Sequence, residues 1–341
     1  MTLEQQIYAF AESRNLEAGI TTAEPFLELE EVLKQKNGLL QGFVEQDINK
    51  RIYATMTMKN AKSIIVFAMG YGYKKKQCQQ YDVLQGEFSI AAVETDYHIL
   101  LREHFKALEQ YLKQKVSNVE CQYFVDTGPL VDRAVAVRAG LGYIGKNGCV
   151  HTKKFGSLMF IGYMMTNLSL KPKEIVTGHC GSCRECIINC PTGALSENAF
   201  NIKKCISYLT QTKTVLPPKV MKTMGKQIYG CDVCQTICPK NQNALYSFQE
   251  HETSISLQQL LQCSNQWFSQ NIANTAAGWR GKKVLQRNTI IALGNSATEQ
   301  ALPLLQQALQ DKRELIRDTA ENAIYNLKSG EKIWDIGIQE D

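Results

Sequence analysis

Residues 180–191 read Cys-Gly-Ser-Cys-Arg-Glu-Cys-Ile-Ile-Asn-Cys-Pro. The spacing Cys-x2-Cys-x2-Cys-x3-Cys-Pro is that of bacterial ferredoxins, in which three neighbouring thiolates bind one [4Fe–4S] cluster and the fourth cysteine binds a second cluster. Residues 231–239, Cys-Asp-Val-Cys-Gln-Thr-Ile-Cys-Pro, repeat the end of this motif. The two runs predict a ferredoxin-like domain with two [4Fe–4S] clusters, and therefore a protein through which electrons pass.

The ligands of the two clusters are predicted to cross between the runs, because the last cysteine of each ferredoxin run binds the cluster of the other run. The second run has only three cysteines, and Cys205, upstream of it, is predicted to supply the missing ligand. One cluster is assigned Cys180, Cys183, Cys186 and Cys238. The other cluster is assigned Cys190, Cys205, Cys231 and Cys234.

Other uses of these cysteines fit the pattern poorly. A zinc site usually takes four ligands from two Cys-x2-Cys pairs, which leaves the repetition of this longer run unexplained. Disulfides need an oxidising compartment, whereas the first residues, MTLEQQIYAFAESRN, lack the basic and apolar segments of a secretory signal. We therefore expect a cytoplasmic protein with reduced thiols.

The composition is that of an ordinary globular protein. The 341 residues are 44% hydrophobic and 21% charged, with a formal net charge of +5, and this length allows two or three domains. No apolar stretch approaches the ~20 residues of a membrane helix, so no membrane partner is expected. The mild positive charge permits an anionic partner without requiring one. No large dimer seam is visible in the sequence, and a monomer is predicted.

Three regions are predicted along the chain. Residues 1–170 alternate helix and strand patterns and predict an α/β (α+β) domain. Residues 171–250 hold both cysteine runs. Residues 251–341 contain a weak repeat, in which RNTIIALGN at 287–295 is echoed by RDTAENAIY at 317–325. The repeat predicts a HEAT-like helical domain, with an ordinary helical subdomain as the alternative.

Candidate site residues lie in the first region. Asp126 follows a predicted strand, where open α/β sheets bind ligands, and is a candidate general acid; an Asx turn is the alternative. The segment GLGYIG at 140–145 is close to a dinucleotide-binding motif but follows a helix rather than a strand. Its glycines are predicted to build a turn close to a large ligand, with Lys146 and Asn147 as polar contacts.

Several segments, taken in order along the chain, resemble the epoxyqueuosine reductase family. They are residues 96–98, 126–129, 139–147 and 205–210, together with both cysteine runs. The resemblance implies a cobalamin enzyme that converts epoxyqueuosine to queuosine at the wobble base of certain tRNAs, and so binds the anticodon stem-loop. It also implies an electron donor such as a ferredoxin or a flavodoxin.

The resemblance also implies the roles of individual residues. Asp126 is the implied proton donor to the epoxide oxygen, and the clusters are implied to relay electrons to cobalamin. The implied cofactor-binding residues are Tyr97, His98, Asp126, Lys146, Asn147, Cys149, Ser157, Ser207 and Asp232.

Cobalamin is expected to be bound base-off, without an axial imidazole. A histidine-ligated cobalamin is commonly marked by Asp-x-His-x-x-Gly, whereas the segment that begins Asp96-Tyr-His98 has Leu101 in place of the glycine. His98 is therefore not predicted to bind cobalt. Removal of an axial donor makes the cobalt easier to reduce, and low-potential [4Fe–4S] clusters are suited to that reduction.

A basic segment with an aromatic residue at its head, WRGKKVLQR at 279–287, is the candidate tRNA contact. Clustered lysines and arginines can neutralise phosphates while the active site reads an extruded base. The alternative is a set of solvated charges. The predicted contacts are Arg280, Lys282, Lys283 and Arg287.

Two other functions share parts of this pattern. A cobalamin-dependent reductive dehalogenase acting on a small molecule has a similar cofactor set, but such enzymes commonly carry an export signal and have no use for a basic helical tail. A ferredoxin-type electron carrier would not need an α/β domain larger than its cluster domain.

Overall fold

The computed structural model of the protein describes residues 1–35, 42–76, 84–197 and 199–329. Its strands are β1 (Leu16–Thr22), β2 (Ser63–Gly70), β3 (Tyr73–Lys75), β4 (Gln85–Phe88), β5 (Cys121–Val125), β6 (Gly142–Ile144), β7 (Val150–Thr152), β8 (Met159–Thr166), β9 (Gln227–Tyr229), β10 (Gln249–His251) and β11 (Ser254–Ser256). Its α-helices are α1 (Leu3–Glu12), α2 (Glu30–Gln35), α3 (Ile48–Ile52), α4 (Tyr97–Lys115), α5 (Asp132–Arg138), α6 (Glu185–Ile188), α7 (Ile206–Leu209), α8 (Pro218–Thr223), α9 (Val233–Thr236), α10 (Gln242–Ser247), α11 (Leu257–Gln262), α12 (Asn265–Asn271), α13 (Lys282–Gly294), α14 (Leu302–Ala308) and α15 (Glu314–Ser329).

The chain forms two compact units, each assembled from three stretches of sequence. Unit 1 comprises residues 1–72, 97–183 and 238–247, and unit 2 comprises the remaining residues. The stretches of the two units alternate along the chain. The limits of the units therefore differ from the domain boundaries that the sequence predicts at residues 170 and 250. Within the described ranges, no helix is both long enough and apolar enough to cross a membrane.

Unit 1 is built on a four-stranded sheet with the order β1-β2-β8-β5. The two central strands are the most apolar segments of this unit, and they pair with Ile65 opposite Met164. All three pairings in the sheet are antiparallel. The predicted alternation of helices and strands therefore produces an α+β unit rather than the parallel sheet that such alternation often indicates.

The core of unit 1 lies between this sheet and α4. Helix α4 has an apolar face, on which Leu101, Phe105, Leu108 and Leu112 are fully buried. The rings of Phe67 on β2 and Phe105 on α4 stack at a centroid distance of 4.8 Å. Burial of this face attaches α4 to the sheet, and the first residue of α4 is thereby held in place.

Unit 2 combines small sheets with helices. Strand β4 lies between β11 and β9 in a three-stranded sheet, and β3 pairs with β10. Helix α13 contains residues 287–294 of the first repeat segment and α15 contains the whole second segment, and the two helices pack closely. A Cβ added at Gly294 on α13 would lie 2.8 Å from the Cβ of Ala323 on α15. Small residues at this crossing allow the two helix backbones to approach each other.

Candidate functional site

A sharp turn presents the carboxyl of Asp126 at the end of β5. Asp126 has a φ of 50°, and the backbone N of Thr127 donates a hydrogen bond to the carbonyl O of Val125 at 2.5 Å. A three-residue turn with positive φ at its centre is rare, and such conformations cost about 1–3 kcal/mol. Asp126 is exposed, so this strained turn holds an acidic side chain on the surface of unit 1.

The hydroxyl of Tyr97, the first residue of α4, donates a hydrogen bond to the Asp126 carboxyl. The ring of Tyr97 stacks on Phe160 of β8 with centroids 4.0 Å apart and planes 5° apart, which limits rotation of the phenol. The imidazole of His98 lies 4.4 Å from the same ring. Tyr97, His98 and Asp126 therefore lie together, as a shared site requires.

The loop after Asp126 is anchored on β8 through Tyr163. The Tyr163 hydroxyl accepts a hydrogen bond from the backbone N of Leu130 at 2.9 Å. A Cβ added at Gly128 would lie 2.3 Å from that hydroxyl oxygen. Glycine is therefore required at this position, because any side chain would displace the tyrosine that anchors the loop.

The hairpin between β6 and β7 contains three of the predicted cofactor-binding residues. The Asn147 side chain accepts a hydrogen bond from the backbone N of Cys149 at 3.1 Å, and it lies 3.2 Å from Nε2 of His151. The backbone N of Lys146 donates to Sγ of Cys180 at 3.4 Å. The buried side chain of Asn147 thus stabilises the turn, whereas the backbone N of Lys146 connects the turn to the first cysteine run.

The glycines of this segment are explained by packing within the chain. A Cβ at Gly142 would lie 1.9 Å from the carbonyl O of His151, and one at Gly145 would lie 2.5 Å from Nε2 of the same residue. Gly140 has a φ of 72° and approaches the carbonyl O of Glu174. Contacts with protein atoms thus explain the glycines at these three positions, and the expectation that the turn lies close to a large ligand stays a prediction.

Ser157 is tied to the end of the second cysteine run. Its backbone N donates to the side-chain oxygen of Asn241 at 2.8 Å, and Nδ2 of Asn241 donates to the Ser157 hydroxyl at 2.9 Å. Both side chains are buried. This pair fixes the turn after Cys238 against the segment that precedes β8.

Three cysteines of the first predicted ligand set lie close together in unit 1. Burial raises the pKa of the Cys238 thiol, and negative charge on Cys180 and Cys183 raises it further. Cys238 belongs to the second run of the sequence, whereas the other two belong to the first run. Their proximity agrees with the crossed assignment of ligands.

The second predicted ligand set lies in unit 2. Burial raises the pKa of Cys231 to about 12, with further contributions from the charges of Cys205 and Cys190. Cys190 comes from the first run, so this group is also crossed. The short helices α6 and α9, which carry Cys186 and Cys234, pack against each other in the same unit.

The cysteine groups can also be compared with the ligand sets of disulfides and of single metal ions. None of the cysteines that the structure describes forms a disulfide bond. Among the described residues, no three His, Cys, Asp or Glu side chains are close enough to hold one metal ion. A cuboidal cluster binds each thiolate to a different iron, so its ligands stand farther apart than those of a single ion.

Two further predicted cofactor residues lie in unit 2. The backbone amide of Ser207 interacts with the Cys205 sulfur and lowers its pKa, although burial raises that pKa overall. Asp232 is only 3% exposed. Its carboxyl accepts hydrogen bonds from the Ser89 hydroxyl and, at 2.9 Å, from the backbone N of Ile90. Both assignments to a cofactor stay predictions.

The basic segment begins with a stacked pair. The guanidinium carbon of Arg280 lies 3.7 Å from the centroid of the Trp279 ring, and Nε1 of Trp279 donates to the Tyr229 hydroxyl at 2.6 Å. Trp279 is nevertheless 49% exposed. Lys283 is exposed, whereas Nζ of Lys282 donates to the carbonyl O of Cys263 at 3.3 Å.

The prediction that Arg287 contacts tRNA is wrong. Its side chain is 0% exposed, and Nη2 donates to the carbonyl oxygens of Leu209 at 3.0 Å and Thr212 at 2.8 Å. Burial lowers its pKa to about 10. Arg287 therefore holds the segment that follows Cys205 from inside unit 2, where a phosphate cannot reach it.

Comparison with known proteins identifies the family. Residues 179–241 match the 4Fe-4S double cluster binding domain, and residues 51–127 match the family described as epoxyqueuosine reductase QueG, DUF1730. The epoxyqueuosine reductase of Bacillus anthracis is 39% identical over 335 residues, covering 94% of this chain and 88% of that protein. The chain belongs to the epoxyqueuosine reductase family.

Solved structures of epoxyqueuosine reductases have the same fold. One, determined with an epoxyqueuosine-modified stem loop of tRNA-Tyr, is 37% identical with a TM-score of 0.89, covering 95% of this chain and 90% of that one. Another, from Bacillus subtilis, is 36% identical with a TM-score of 0.88 over the same shares. In that structure a catalytic aspartate loop is swung out of the active site.

Sequence reasoning missed two residues beside Asp126 in this reductase. Asp132 begins α5, and its carboxyl interacts with the charge of Asp126. Tyr163 anchors the intervening loop from β8. An acidic residue in the first turn of a helix is common, and a tyrosine within an apolar strand is equally ordinary. The only available signal was that Asp132 lies six positions after Asp126.

Proposed function

We propose that this chain reduces the epoxide of epoxyqueuosine in tRNA to give queuosine and water. The observation that carries the proposal is the similarity to epoxyqueuosine reductases over 94% of the chain. A reductive dehalogenase acting on a small molecule is the less favoured alternative. Because tRNA is the substrate, the proposed place of action is the cytoplasm, and the chain is proposed to act as a monomer.

The two cysteine groups are proposed to bind the clusters in the crossed arrangement. Cys238 lies beside Cys180 and Cys183, and Cys190 lies beside Cys231, so each run contributes to both groups. Crossed ligands hold two clusters close enough for electron transfer between them. A ferredoxin or a flavodoxin is the proposed electron donor.

Cobalamin is proposed to bind base-off beside Asp126, where it would supply reducing electrons to an epoxide carbon. A bulky amphipathic cofactor needs apolar surface beside polar contacts. Exposed isoleucines accompany the candidate residues of unit 1, since Ile99 follows His98 and Ile144 precedes the turn at 145–149. The residues of unit 1 proposed to hold the cofactor there are Tyr97, His98, Asp126, Lys146, Asn147, Cys149 and Ser157. The cofactor-binding roles of Ser207 and Asp232 in unit 2 stay predictions.

Asp126 is proposed to protonate the epoxide oxygen as the C–O bond breaks. An alkoxide is a poor leaving group, so a positioned acid accelerates this step. The carboxyl of Asp126 is exposed at a strained turn, and the Tyr97 hydroxyl donates a hydrogen bond to it. The catalytic aspartate loop of the Bacillus subtilis relative supports a role for an acidic side chain on a loop.

The tRNA is proposed to contact the basic segment at the start of α13. Arg280, Lys282 and Lys283 would pair with phosphates, and the exposed Trp279 ring would stack on a base. Helices α13 to α15 are proposed to form the HEAT-like part of the chain. The proposed order of regions is the α/β (α+β) region at 1–170, the two-cluster region at 171–250 and the helical region at 251–341.

The direct test is turnover of epoxyqueuosine tRNA by anaerobically purified protein with both clusters. Reaction with a chemical reductant and added cobalamin should convert epoxyqueuosine to queuosine, measured by mass spectrometry of the tRNA nucleosides. Omission of cobalamin should abolish the conversion. Unchanged epoxyqueuosine in the complete reaction would contradict the proposed function.

A further inference from the structure

A buried carboxyl lies between two cysteines of the second predicted ligand set. Asp232 follows Cys231 and precedes helix α9, which carries Cys234. The carbonyl O of Asp232 accepts hydrogen bonds from the backbone N of Gln235 at 2.9 Å and of Thr236 at 2.8 Å. Asp232 therefore begins the short helix that carries a predicted ligand, and whatever holds its side chain also holds this ligand turn.

The groups that hold this carboxyl come from a distant part of the sequence. The Ser89 hydroxyl donates a hydrogen bond to Oδ1 of Asp232, and the backbone N of Ile90 donates to Oδ2 at 2.9 Å. Nζ of Lys75, at the end of β3, lies 3.8 Å from the same Oδ2. All three groups belong to the stretch of unit 2 at residues 73–96. The side chain of Asp232 thus connects that stretch to the ligand turn.

Lys75 supplies the positive charge of this network. Its Nζ lies 2.6 Å from Oε2 of Glu87 on β4, and both side chains are 29% exposed. Burial alone would lower the pKa of Lys75, but the charge of Asp232 and the hydrogen bond to Glu87 raise it, and the charge of Cys231 adds to this effect. Lys75 is therefore an ammonium at neutral pH, held by Glu87 and Asp232 close to the ligand turn.

A fixed positive charge near an iron–sulfur cluster favours the reduced cluster. Reduction adds one electron, so a nearby ammonium stabilises the more negative product. The net charge around a cluster and the hydrogen bonds of its surroundings are among the factors that set its reduction potential. Partly buried charges are screened by salt much less than exposed ones. A partly buried lysine beside a ligand turn is suited to this role.

We propose that Lys75 raises the reduction potential of the cluster in the second predicted ligand set, and that Asp232 holds the ammonium and the ligand turn at a fixed separation. Each transfer through this cluster adds one electron from the donor and removes it again, and no bond forms or breaks. Lys75 is a positioning residue, because it acts through the cluster and not on the substrate. The role rests on the proposed function, which assigns the clusters to the electron path.

A redox titration followed by electron paramagnetic resonance tests this role without tRNA or cobalamin. In anaerobically purified protein with both clusters, Lys75→Met should lower the equilibrium constant for reduction of one cluster about tenfold, a shift of about 59 mV for one electron. Lys75→Arg should keep the wild-type potential. Lys74→Met, the same loss of charge at the neighbouring position of β3, should leave both potentials unchanged. Wild-type potentials in the Lys75→Met protein would overturn the proposal, whether or not the protein reduces epoxyqueuosine.

Glu87→Gln distinguishes an electrostatic role from a structural one. This change keeps the size of the side chain but removes a negative charge beside Lys75, so it should raise the potential that Lys75→Met lowers. A network that only stabilises the fold would not give shifts of opposite sign. Shifts in the same direction would overturn the proposal. If Lys75→Met does not retain its iron, Glu87→Gln decides alone, and an unchanged or lowered potential would then overturn the proposal.

Discussion

Two buried charged groups, the Asp132 carboxyl in unit 1 and the Arg287 guanidinium in unit 2, differ in how their polar atoms are satisfied. Arg287 donates to the carbonyl oxygens of Leu209 and Thr212. Among the described residues, Oδ1 of Asp132 and Nε of Arg287 are both buried without a hydrogen-bond partner, and the charge of the exposed Asp126 acts on Asp132. Burial opposes the charged form of both residues. Main-chain carbonyls compensate the charge of Arg287, whereas at Asp132 the charge of Asp126 adds to the effect of burial.

This difference distinguishes a buried charge that stabilises the fold from a buried charge whose pKa is shifted at the candidate site. A buried arginine whose donors meet main-chain carbonyls fixes the segment that carries those carbonyls. A buried acid beside an exposed acid instead has its proton affinity raised, as at many catalytic sites. We therefore expect changes at Asp126 to affect turnover, and changes at Arg287 to affect stability.

The largest expected effect comes from Asp126→Asn. The amide keeps the size of the side chain but cannot donate an acidic proton, so turnover should fall by about 10²–10⁴-fold. Absorbance of the clusters and of added cobalamin should match the wild-type protein, and Asp47→Asn should turn over normally. Single-turnover formation of queuosine measures the effect. Wild-type rates from the Asn variant would remove Asp126 from the acid role.

The next largest effect is expected at Arg287. Arg287→Met leaves the carbonyls of Leu209 and Thr212 without these donors, at about 1–3 kcal/mol for each buried group. Thermal unfolding should therefore begin at a clearly lower temperature, and iron should be lost faster because the segment after Cys205 is released. Lys283→Met, on the same helix but exposed, should change stability by less than about 0.5 kcal/mol. Equal stability of the two variants would contradict the structural role of Arg287.

Loss of the Trp279 ring should weaken tRNA binding, and it also removes the hydrogen bond from Nε1 to the Tyr229 hydroxyl. Stacking of a base on an aromatic ring contributes about 1–3 kcal/mol, so Trp279→Ala should raise the Kd for a modified stem-loop by about 5- to 100-fold. Trp279→Phe should recover most of the affinity. The measurement is fluorescence anisotropy with a labelled stem-loop. An unchanged Kd for the Ala variant would exclude stacking at this position.

The smallest effect is expected from the exposed Lys283. Lys283→Gln should raise the Kd only a few-fold, and the slope of log affinity against log salt should decrease by about 0.7–0.9 because one phosphate contact is lost. Arg287→Met should leave this slope unchanged. A change of the slope for Arg287→Met but not for Lys283→Gln would contradict the conclusion that Lys283 is exposed to phosphates and that Arg287 is buried.

The cysteine spacing predicted more of the molecule than any other feature of the sequence. It indicated that Cys238 groups with Cys180 and Cys183, and the structure places these three residues together. Such a prediction is possible because cluster geometry is encoded in short local spacings, and the assignment of ligands to clusters stays a prediction. The position of Asp126 directly after a strand was also predicted, because a carboxylate at the end of a strand is a local sequence pattern.

Long-range packing could not be predicted in the same way. Arg287 lies in a basic segment typical of a solvated face, yet its partners Leu209 and Thr212 lie more than 70 residues earlier in the chain. Asp132 looked like an ordinary acidic residue in the first turn of a helix. The antiparallel order of the unit 1 sheet depends on pairings between distant strands, which helix and strand patterns do not specify.

The most direct test of the proposed chemistry uses the electron donors of a living cell. A bacterial strain without its own epoxyqueuosine reductase would express this chain, and mass spectrometry would measure the nucleosides of its tRNA. The wild-type chain should yield queuosine, whereas Asp126→Asn should leave epoxyqueuosine. Persistence of epoxyqueuosine in cells that contain the wild-type protein with both clusters would contradict the account.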